Sequence, residues 1–588
     1  MAKANPNDLY WRAFRLGIPR EIVVPFIESV LRWEKDSGPE WTVARLKAVK
    51  NDFVRIAAGQ PAVAVWITRN GDKYSGVLGG LQKWAWKSSK NFRRSIQLLA
   101  CYTYFKSDSL TEKQWNKETK AINSPNASEV PWPNIIRLLG WKAPELDTQP
   151  LPIFLYPANK RTPQNWGYGW KPQYWSIWPF LLTTKGRVYL ENPHVFNSIM
   201  NFCVSLGINQ DQPPEGLPVE DEFTAGNILL NQERGFKLRL AAAPSLVFQV
   251  ATYPLKVALY DIIRKDESSS VFDQDMGRER VSEWLRSGER VYSFDLSSAT
   301  HRFPLSLQIS LLKDLQIDND MISLVEMISR EDWLLPTGEK ISWKAGQPLG
   351  LMPSYGMFHL THLAMILSRG ISADEVVILG DDVALKGSNA ASIYEQLCDD
   401  LDLTISQDKT LSSSVLAEFA GHLITRAGHF PVWKWGGIND RNFVDQAKAL
   451  PEAITTFPKK YQKVLGIISQ WPEWYGGLGQ NPHGKPLRQR LPPLQMILDM
   501  EQPEFSVPER PMSTISYRNP EMDWVNGVVL QDVYDQYTLD MVRKDWGPVK
   551  GDLPLPIKGP GLRMEIPDPS LSDQYRHWTN VLSRLGLV

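Results

Sequence analysis

The stretch EVVILGDDVALKG, Glu375 to Gly387, most narrows what this chain can fold into. Val376-Val377-Ile378-Leu379 and the returning Val383 to Leu385 have the aliphatic character of paired strands, and Gly380-Asp381-Asp382 supplies the turn chemistry between them. Two carboxylates fixed side by side on a rigid turn repel, which destabilises the arrangement unless a cation sits there. Gly-Asp-Asp also serves as an ordinary exposed turn. The hairpin therefore gains chemical meaning only from what the rest of the chain brings to it.

Upstream lies ERVYSFDLSSATHRFP, Glu289 to Pro304. Its apolar start reads as a strand ending at Asp295, followed by a helix that begins near Pro304. A carboxylate at that point is a common metal-ligand position, and equally a common helix N-cap. Between this segment and the hairpin runs KAGQPLGLMPSYGMFHLTHLAMILSRG, where Gly346 and Gly350 suggest a pliable loop and an apolar helix follows from Gly356. A strand-end aspartate, a glycine-rich loop with a helix, and an Asp-Asp hairpin together are the parts needed to hold two divalent cations. Mg²⁺ prefers hard oxygen ligands and leaves sites for phosphates, and a two-metal centre drives in-line displacement at phosphorus.

Bulk properties limit the alternatives. The chain has 588 residues, enough for several domain-sized units, with Lys+Arg and Asp+Glu both 65. Any nucleic-acid contact must come from local basic surface rather than an overall positive field. Cys101, Cys203 and Cys398 have no CxxC spacing, against a disulfide framework or a cysteine zinc site. No uninterrupted apolar stretch is long enough to span a bilayer. The N-terminus is basic with one early acid, Asp8, but Pro6 and Pro19 interrupt an amphipathic presequence helix, so it reads as a folded arm. The 23 tryptophans read mainly as packing, and Lys83 to Arg94 interleave bases with aromatics as a surface for single-stranded nucleic acid does.

DLSSATHRFP, GQPLGLMPSYGMFHLTH and ILGDDVAL resemble, in order, palm motifs A, B and C of viral RNA-dependent RNA polymerases, most closely those of mitoviruses and narnaviruses. ISQDKTLSSSVLAEFAGHLI is similar to motifs D and E, RGFKLRLAAAPSLVFQ to motif F, and SSSVFDQ to the short element before motif A in mitoviruses. GPEWTVARLKAVK near the N-terminus also has a mitovirus look. The ordered match covers Arg234 to Ile424.

The resemblance implies an α+β right-hand polymerase fold of fingers, palm and thumb, with an antiparallel palm sheet flanked by helices. It divides the chain into an N-terminal, fingers-associated region (1–160), fingers with motif F (161–290), a palm with motifs A to E (291–435, with a fingers insertion at about 318–345) and a thumb with the C-terminal region (436–588). Asp295 and Asp381 would bind two Mg²⁺ ions, for which Mn²⁺ could substitute, with Asp382 auxiliary. Lys237 and Arg239, two apart on one strand face, would clamp the triphosphate. Lys409, after the strand-like LTIS, would be the general acid for pyrophosphate. Gly346, Gln347, Gly350 and Ser354 would shape the loop at template and ribose, and Glu418 and Phe419 would lie near the primer end. Arg302 reads as an ion-pair partner in the palm. Where relatives carry a second motif A aspartate for the ribose 2′-hydroxyl, this chain has His301. Histidine also forms hydrogen bonds, so either sugar selection through His301 or weakened discrimination follows. His359 and His362 read as structural on their apolar helix.

The implied partners are a single-stranded RNA template, nascent RNA and ribonucleoside triphosphates, with no membrane span and no obligate protein partner. The implied function is replication of a positive-strand RNA genome in the host mitochondrial matrix, with the cytoplasm as the alternative. The competing reading is a catalytically silent RNA-binding scaffold derived from a polymerase. The joint presence of Lys237, Arg239, Asp295, Asp381 and Asp382 argues against such decay.

Overall fold

The computed structural model describes residues 5–146 except 65, 66, 68, 108 and 109, then 177–206, 223–435, 443–449 and 457–471, with isolated positions at 454, 478 and 489. The chain divides into two units, Met1–Pro150 with Trp175–Trp435, and Leu151–Tyr174 with Gly436–Val588. In the second, the helices Phe443–Ala449 and Lys459–Ile468 pack through Phe443 stacked on Tyr461. Lys459, Lys460 and Lys463 lie on the latter helix. The basic cluster Lys485, Arg488 and Arg490 and most of the thumb region lie outside the described residues.

The first unit is α+β. It opens with α1 (Pro6–Phe14), α2 (Arg20–Ser37) and α3 (Pro39–Ala57). Pro6 occupies the first turn of α1, where the Asn5 side chain accepts from two backbone N–H groups, and Pro19 is the N-cap of α2. The prolines thus start helices rather than interrupt one, because the first turn needs no N–H donor there. After α4 (Gly76–Ala85) and α5 (Ser89–Leu99) comes α6 (Glu112–Asn123), whose start is fixed by a Thr111–Gln114 capping box.

Next, β1 (Gly226–Glu233) and β2 (Lys237–Pro244) form an antiparallel ribbon, followed by α7 (Leu246–Lys265) and α8 (Gln274–Arg286). Helix α7 is long and apolar enough by composition to cross a membrane, which the sequence reading did not expect. It is nevertheless largely buried, with Val247, Phe248, Leu255, Leu259 and Ile263 in the core.

The remaining elements are β3 (Val291–Asp295), α9 (Leu305–Asp314), α10 (Asn319–Arg330), β4 (Trp333–Leu334), β5 (Lys340–Ile341), α11 (Ser354–Ser368), β6 (Val376–Leu379), β7 (Asp382–Lys386), α12 (Ser388–Asp400), β8 (Leu411–Ser413), β9 (Leu416–Phe419), β10 (His422–Thr425) and β11 (Gly428–Pro431). They build three sheets. The palm-like sheet has the order β8-β3-β7-β6 with every neighbour antiparallel. The β4–β5 hairpin, from the segment 318–345, joins the β1–β2 ribbon, and β9-β10-β11 is a meander.

The palm-like sheet is buried on both faces, which is why VVIL of β6 and VAL of β7 read as continuous apolar runs. Phe294, Val376, Ile378, Val383 and Leu385 pack with Phe303, Phe358 and Tyr394, while Val291, Val377 and Ala384 pack with Val281 and Leu285 of α8. The alternation along β6 is the strand period of two. One expectation fails: LTIS forms no strand. Ile405 makes a single bridge to Leu296 as the chain crosses the end of β3, with Ser406 N–H donating to the Asp295 carbonyl.

Candidate active site

The register of β3 on β7 sets Asp295 opposite Asp382. Opposed residues of this kind project to one face with Cβ atoms about 5 Å apart. β6 pairs Leu379 with Asp382, so Gly380 and Asp381 are the two turn residues. Gly380 takes φ +67, the conformation that a two-residue hairpin demands at its first turn position. Tyr355 lies over it, close enough that a Cβ on Gly380 would sit 3.1 Å from the ring.

Two buried histidines hold the Gly380 peptide from below. Gly380 N–H donates to His359 Nδ1 at 3.1 Å, so His359 Nε2–H donates to Ser269 Oγ. His362 Nδ1–H donates to the Gly380 carbonyl at 2.9 Å, and its Nε2 accepts from the Tyr394 hydroxyl. Burial pushes His359 down to about 3 and His362 down to about 4, so both stay neutral and keep these tautomers. They are structural, and the structure they maintain is the aspartate turn itself.

Burial, then Asp381, Asp295 and Glu418, push Asp382 up to about 7. Asp381 is raised by burial and by Asp295, with Arg239 and Lys237 opposing. Glu418 on β9, which sequence reasoning placed near a primer, is thus a fourth carboxylate of this cluster. Among the described residues no three acidic, histidine or cysteine side chains already converge as a metal cage. Asp295 instead holds Lys409 Nζ at 2.7 Å. Burial alone would lower the Lys409 ammonium, but Asp295 and Glu418 outweigh it and raise it. The donors are hard carboxylate oxygens, crowded enough to drive proton affinity up, and this chemistry fits a divalent cation.

Lys237 and Arg239 stand on the exposed face of β2, alternating with buried Leu238 and Leu240, and Arg239 pairs with Glu233. Lys237 is lowered by burial and by Arg239, with Asp295 among the groups opposing this. Helix α3 supplies a contribution the sequence reading missed. Lys47 Nζ donates to the Gly235 carbonyl in the β1–β2 turn at 2.8 Å. Asn51 donates to Asp408, and Arg55 donates to the carbonyls of Gln407 and Thr410. Lys50 is buried; burial lowers its ammonium, yet Glu418 and Tyr102 raise it above the ordinary value.

Other expected contacts are placed differently. His301 is 6% exposed and spends its ring internally: Trp343 Nε1–H donates to Nδ1 at 3.0 Å, and Nε2 faces Glu118 at 3.8 Å. Gln347 is fully buried and donates to Gln308 Oε1 and the Ser354 carbonyl; Ser354 is also buried. Phe419 is core, packed with Val377 and Ala384. The His301 ring and the Gln347 amide thus bond within the protein, Ser354 offers its backbone carbonyl to Gln347, and Phe419 packs in the core.

Nor is the glycine loop pliable. Gly346 N–H donates to the His301 carbonyl, and Gly350, at φ +132, lies where a Cβ would be 2.0 Å from the Ala242 carbonyl oxygen. The glycines there permit close backbone approach. Arg302 forms the expected kind of ion pair, with Asp402 at 2.7 Å.

A family model for the mitovirus RNA-dependent RNA polymerase matches residues 168–468, just over half of the chain. The RNA-directed RNA polymerase of Cryphonectria parasitica mitovirus 1 is 29% identical over 262 residues, 43% of this chain and 31% of that protein. The chain therefore aligns with about a third of that relative's length. An uncharacterized mitochondrial protein of Arabidopsis thaliana is 27% identical over 180 residues, 27% of this chain and 68% of the relative. Among solved structures, the RNA-dependent RNA polymerase of a human picobirnavirus superposes with a TM-score of 0.32 at 13% identity, covering 40% of this chain and 53% of that one. On the family match, this chain belongs to the mitovirus RNA-dependent RNA polymerases.

Proposed function

We propose that the chain performs template-directed RNA synthesis and so replicates a positive-strand viral RNA genome. The observation that carries this reading is the strand register that opposes Asp295 to Asp382 beside the Asp381 turn, with lysines and arginine from other segments facing the same carboxylates. The reaction forms a bond from the RNA 3′-oxygen to the α-phosphorus of a ribonucleoside triphosphate and breaks the α–β phosphoanhydride. The 3′-hydroxyl proton leaves to solvent and pyrophosphate departs.

Two Mg²⁺ ions, or Mn²⁺ in their place, bound by Asp295 and Asp381 with Asp382 in support, would activate the attacking oxygen and stabilise the leaving one. Lys237 and Arg239 hold the triphosphate as fixed positive charge. Lys409, on releasing Asp295, gives a proton to the departing pyrophosphate and recovers it from solvent. Glu418 helps keep Lys409 and Lys50 charged. Gly346 and Gly350 set the loop beside the template.

This reading keeps the fingers at 161–290, the palm at 291–435 and the thumb at 436–588; the joining of β4 and β5 to the β1–β2 ribbon supports an excursion of 318–345 out of the palm. Relatives named as mitochondrial proteins support a site of action in the host mitochondrion rather than the cytoplasm. The test is synthesis on a short single-stranded RNA, primed and unprimed, with ribo- and deoxyribonucleotides in separate lanes, for wild type and Asp295→Ala. Ribonucleotide incorporation by wild type alone supports the reading. A wild type that binds RNA and makes no product under any metal condition replaces it with the silent scaffold.

A further inference from the structure

We propose that Lys47, delivered by α3, is a substrate-binding residue that completes with Lys237 and Lys409 a cradle for the β- and γ-phosphates of the incoming nucleotide. The inference rests on the polymerase reading and extends its site to a part of the chain to which no role was assigned.

Geometry brings α3 there. The β1–β2 turn that leads into Lys237 is tied down on three sides: Gly235 N–H donates to the Phe105 carbonyl, Gln114 Nε2 donates to the Phe236 carbonyl, and Lys47 Nζ donates to the Gly235 carbonyl. One and two helical turns on, Asn51 and Arg55 grip the 407–410 loop that carries Lys409. A single helix face therefore spans both cation-bearing segments, with Lys47 bonded to the turn that leads into Lys237. The Lys47 ammonium also lies 5.3 Å from the Tyr102 ring centre, which leaves it partly desolvated.

The charges that act most strongly on Lys47 are of its own sign. Lys237, Lys409, Lys117 and Lys50 act on it from β2, the 407–410 loop, α6 and α3, and burial together with these four brings Lys47 down to about 8. The nearby acids are turned to other partners: Asp295 binds Lys409, and Glu418 acts on Lys50. Like charges held this close destabilise the fold unless a polyanion enters. The lysines come from separate segments that the α3 hydrogen bonds draw together, and such a cluster suits a compact triphosphate better than an extended RNA backbone. Pyrophosphate would leave from the same cradle.

The test uses the whole chain with Lys47→Met, Lys47→Arg, Gln114→Leu and the remote surface variant Lys313→Met. Inorganic tripolyphosphate binding to metal-free protein is measured by calorimetry, template RNA affinity by fluorescence anisotropy, and nucleotide KM and kcat by primer extension. Lys47→Met is expected to weaken tripolyphosphate binding and raise nucleotide KM about tenfold, with kcat within about twofold and RNA affinity unchanged. Lys47→Arg is expected to restore both, and Lys313→Met to change neither. Gln114→Leu loosens the same turn while leaving every cation, so it should spare tripolyphosphate binding. The inference is overturned if Lys47→Met binds tripolyphosphate like wild type, if Gln114→Leu weakens it equally, or if RNA affinity falls by the same factor. A wild type without polymerase activity whose tripolyphosphate binding still depends on Lys47 would sink the polymerase reading and leave the anion site standing.

Discussion

Asp382 is held in an environment that suits its protonated form, with burial, Asp381, Asp295 and Glu418 raising it to about 7. A carboxyl whose folded pKa lies above its unfolded one binds its proton more tightly in the native state. Its penalty is absent below about pH 4, grows as pH rises toward 7 and is complete above that. Metal-free wild type should therefore lose Tm between pH 5 and pH 8 relative to Asp382→Asn, and the variant should be the more stable of the two at pH 8. Scanning calorimetry on both proteins checks this; identical pH profiles would contradict it. His301 makes the opposite case, a polar residue whose ring is satisfied by its neighbours. Its replacement by Ala orphans Trp343 Nε1–H and should cost about 1–3 kcal/mol in chemical denaturation. The ratio of ribo- to deoxyribonucleotide incorporation should stay unchanged; a shifted ratio would return His301 to the sugar. Neither environment was legible locally, because the sequence shows which residue stands in a motif but not which side chains from elsewhere surround it.

At the scale of elements, local chemistry was readable where it is strong. The β6–β7 hairpin and the end of β3 at Asp295 formed as expected, and α11 begins two residues before Gly356. LTIS failed because its apolar residues pack singly against the end of β3 instead of pairing along a ladder. The loop glycines were misread because Gly signals both freedom and close approach, and only the distance to Ala242 distinguishes them. The aspartate turn offers a test at this scale. Ala at Gly380 meets a φ of +67 and the Tyr355 ring. It should cost about 1–2 kcal/mol from the left-handed backbone alone and lower single-nucleotide incorporation at least tenfold. Unchanged incorporation would mean that the turn's geometry does not set the aspartates.

For the whole molecule, the point the sequence withheld is long-range. The apolar residues of EWTVARLKAVKNDFVRI recur at helical spacing, as α3 requires. The polar face of α3, however, meets the β1–β2 turn and the 407–410 loop about 190 and 360 residues away, and no local pattern encodes such a meeting. The same convergence brings β3, the β6–β7 turn and β9 together, so one substitution there should act on chemistry while leaving the two-sided sheet core intact. The most direct measurement is single-turnover addition of one ribonucleotide to a labelled RNA primer on its template with Mg²⁺, for wild type and Asp381→Asn at equal RNA occupancy. The account predicts extension by wild type and a loss of about a thousandfold or more in the variant, with primer binding retained. Equal rates in the two proteins would contradict it.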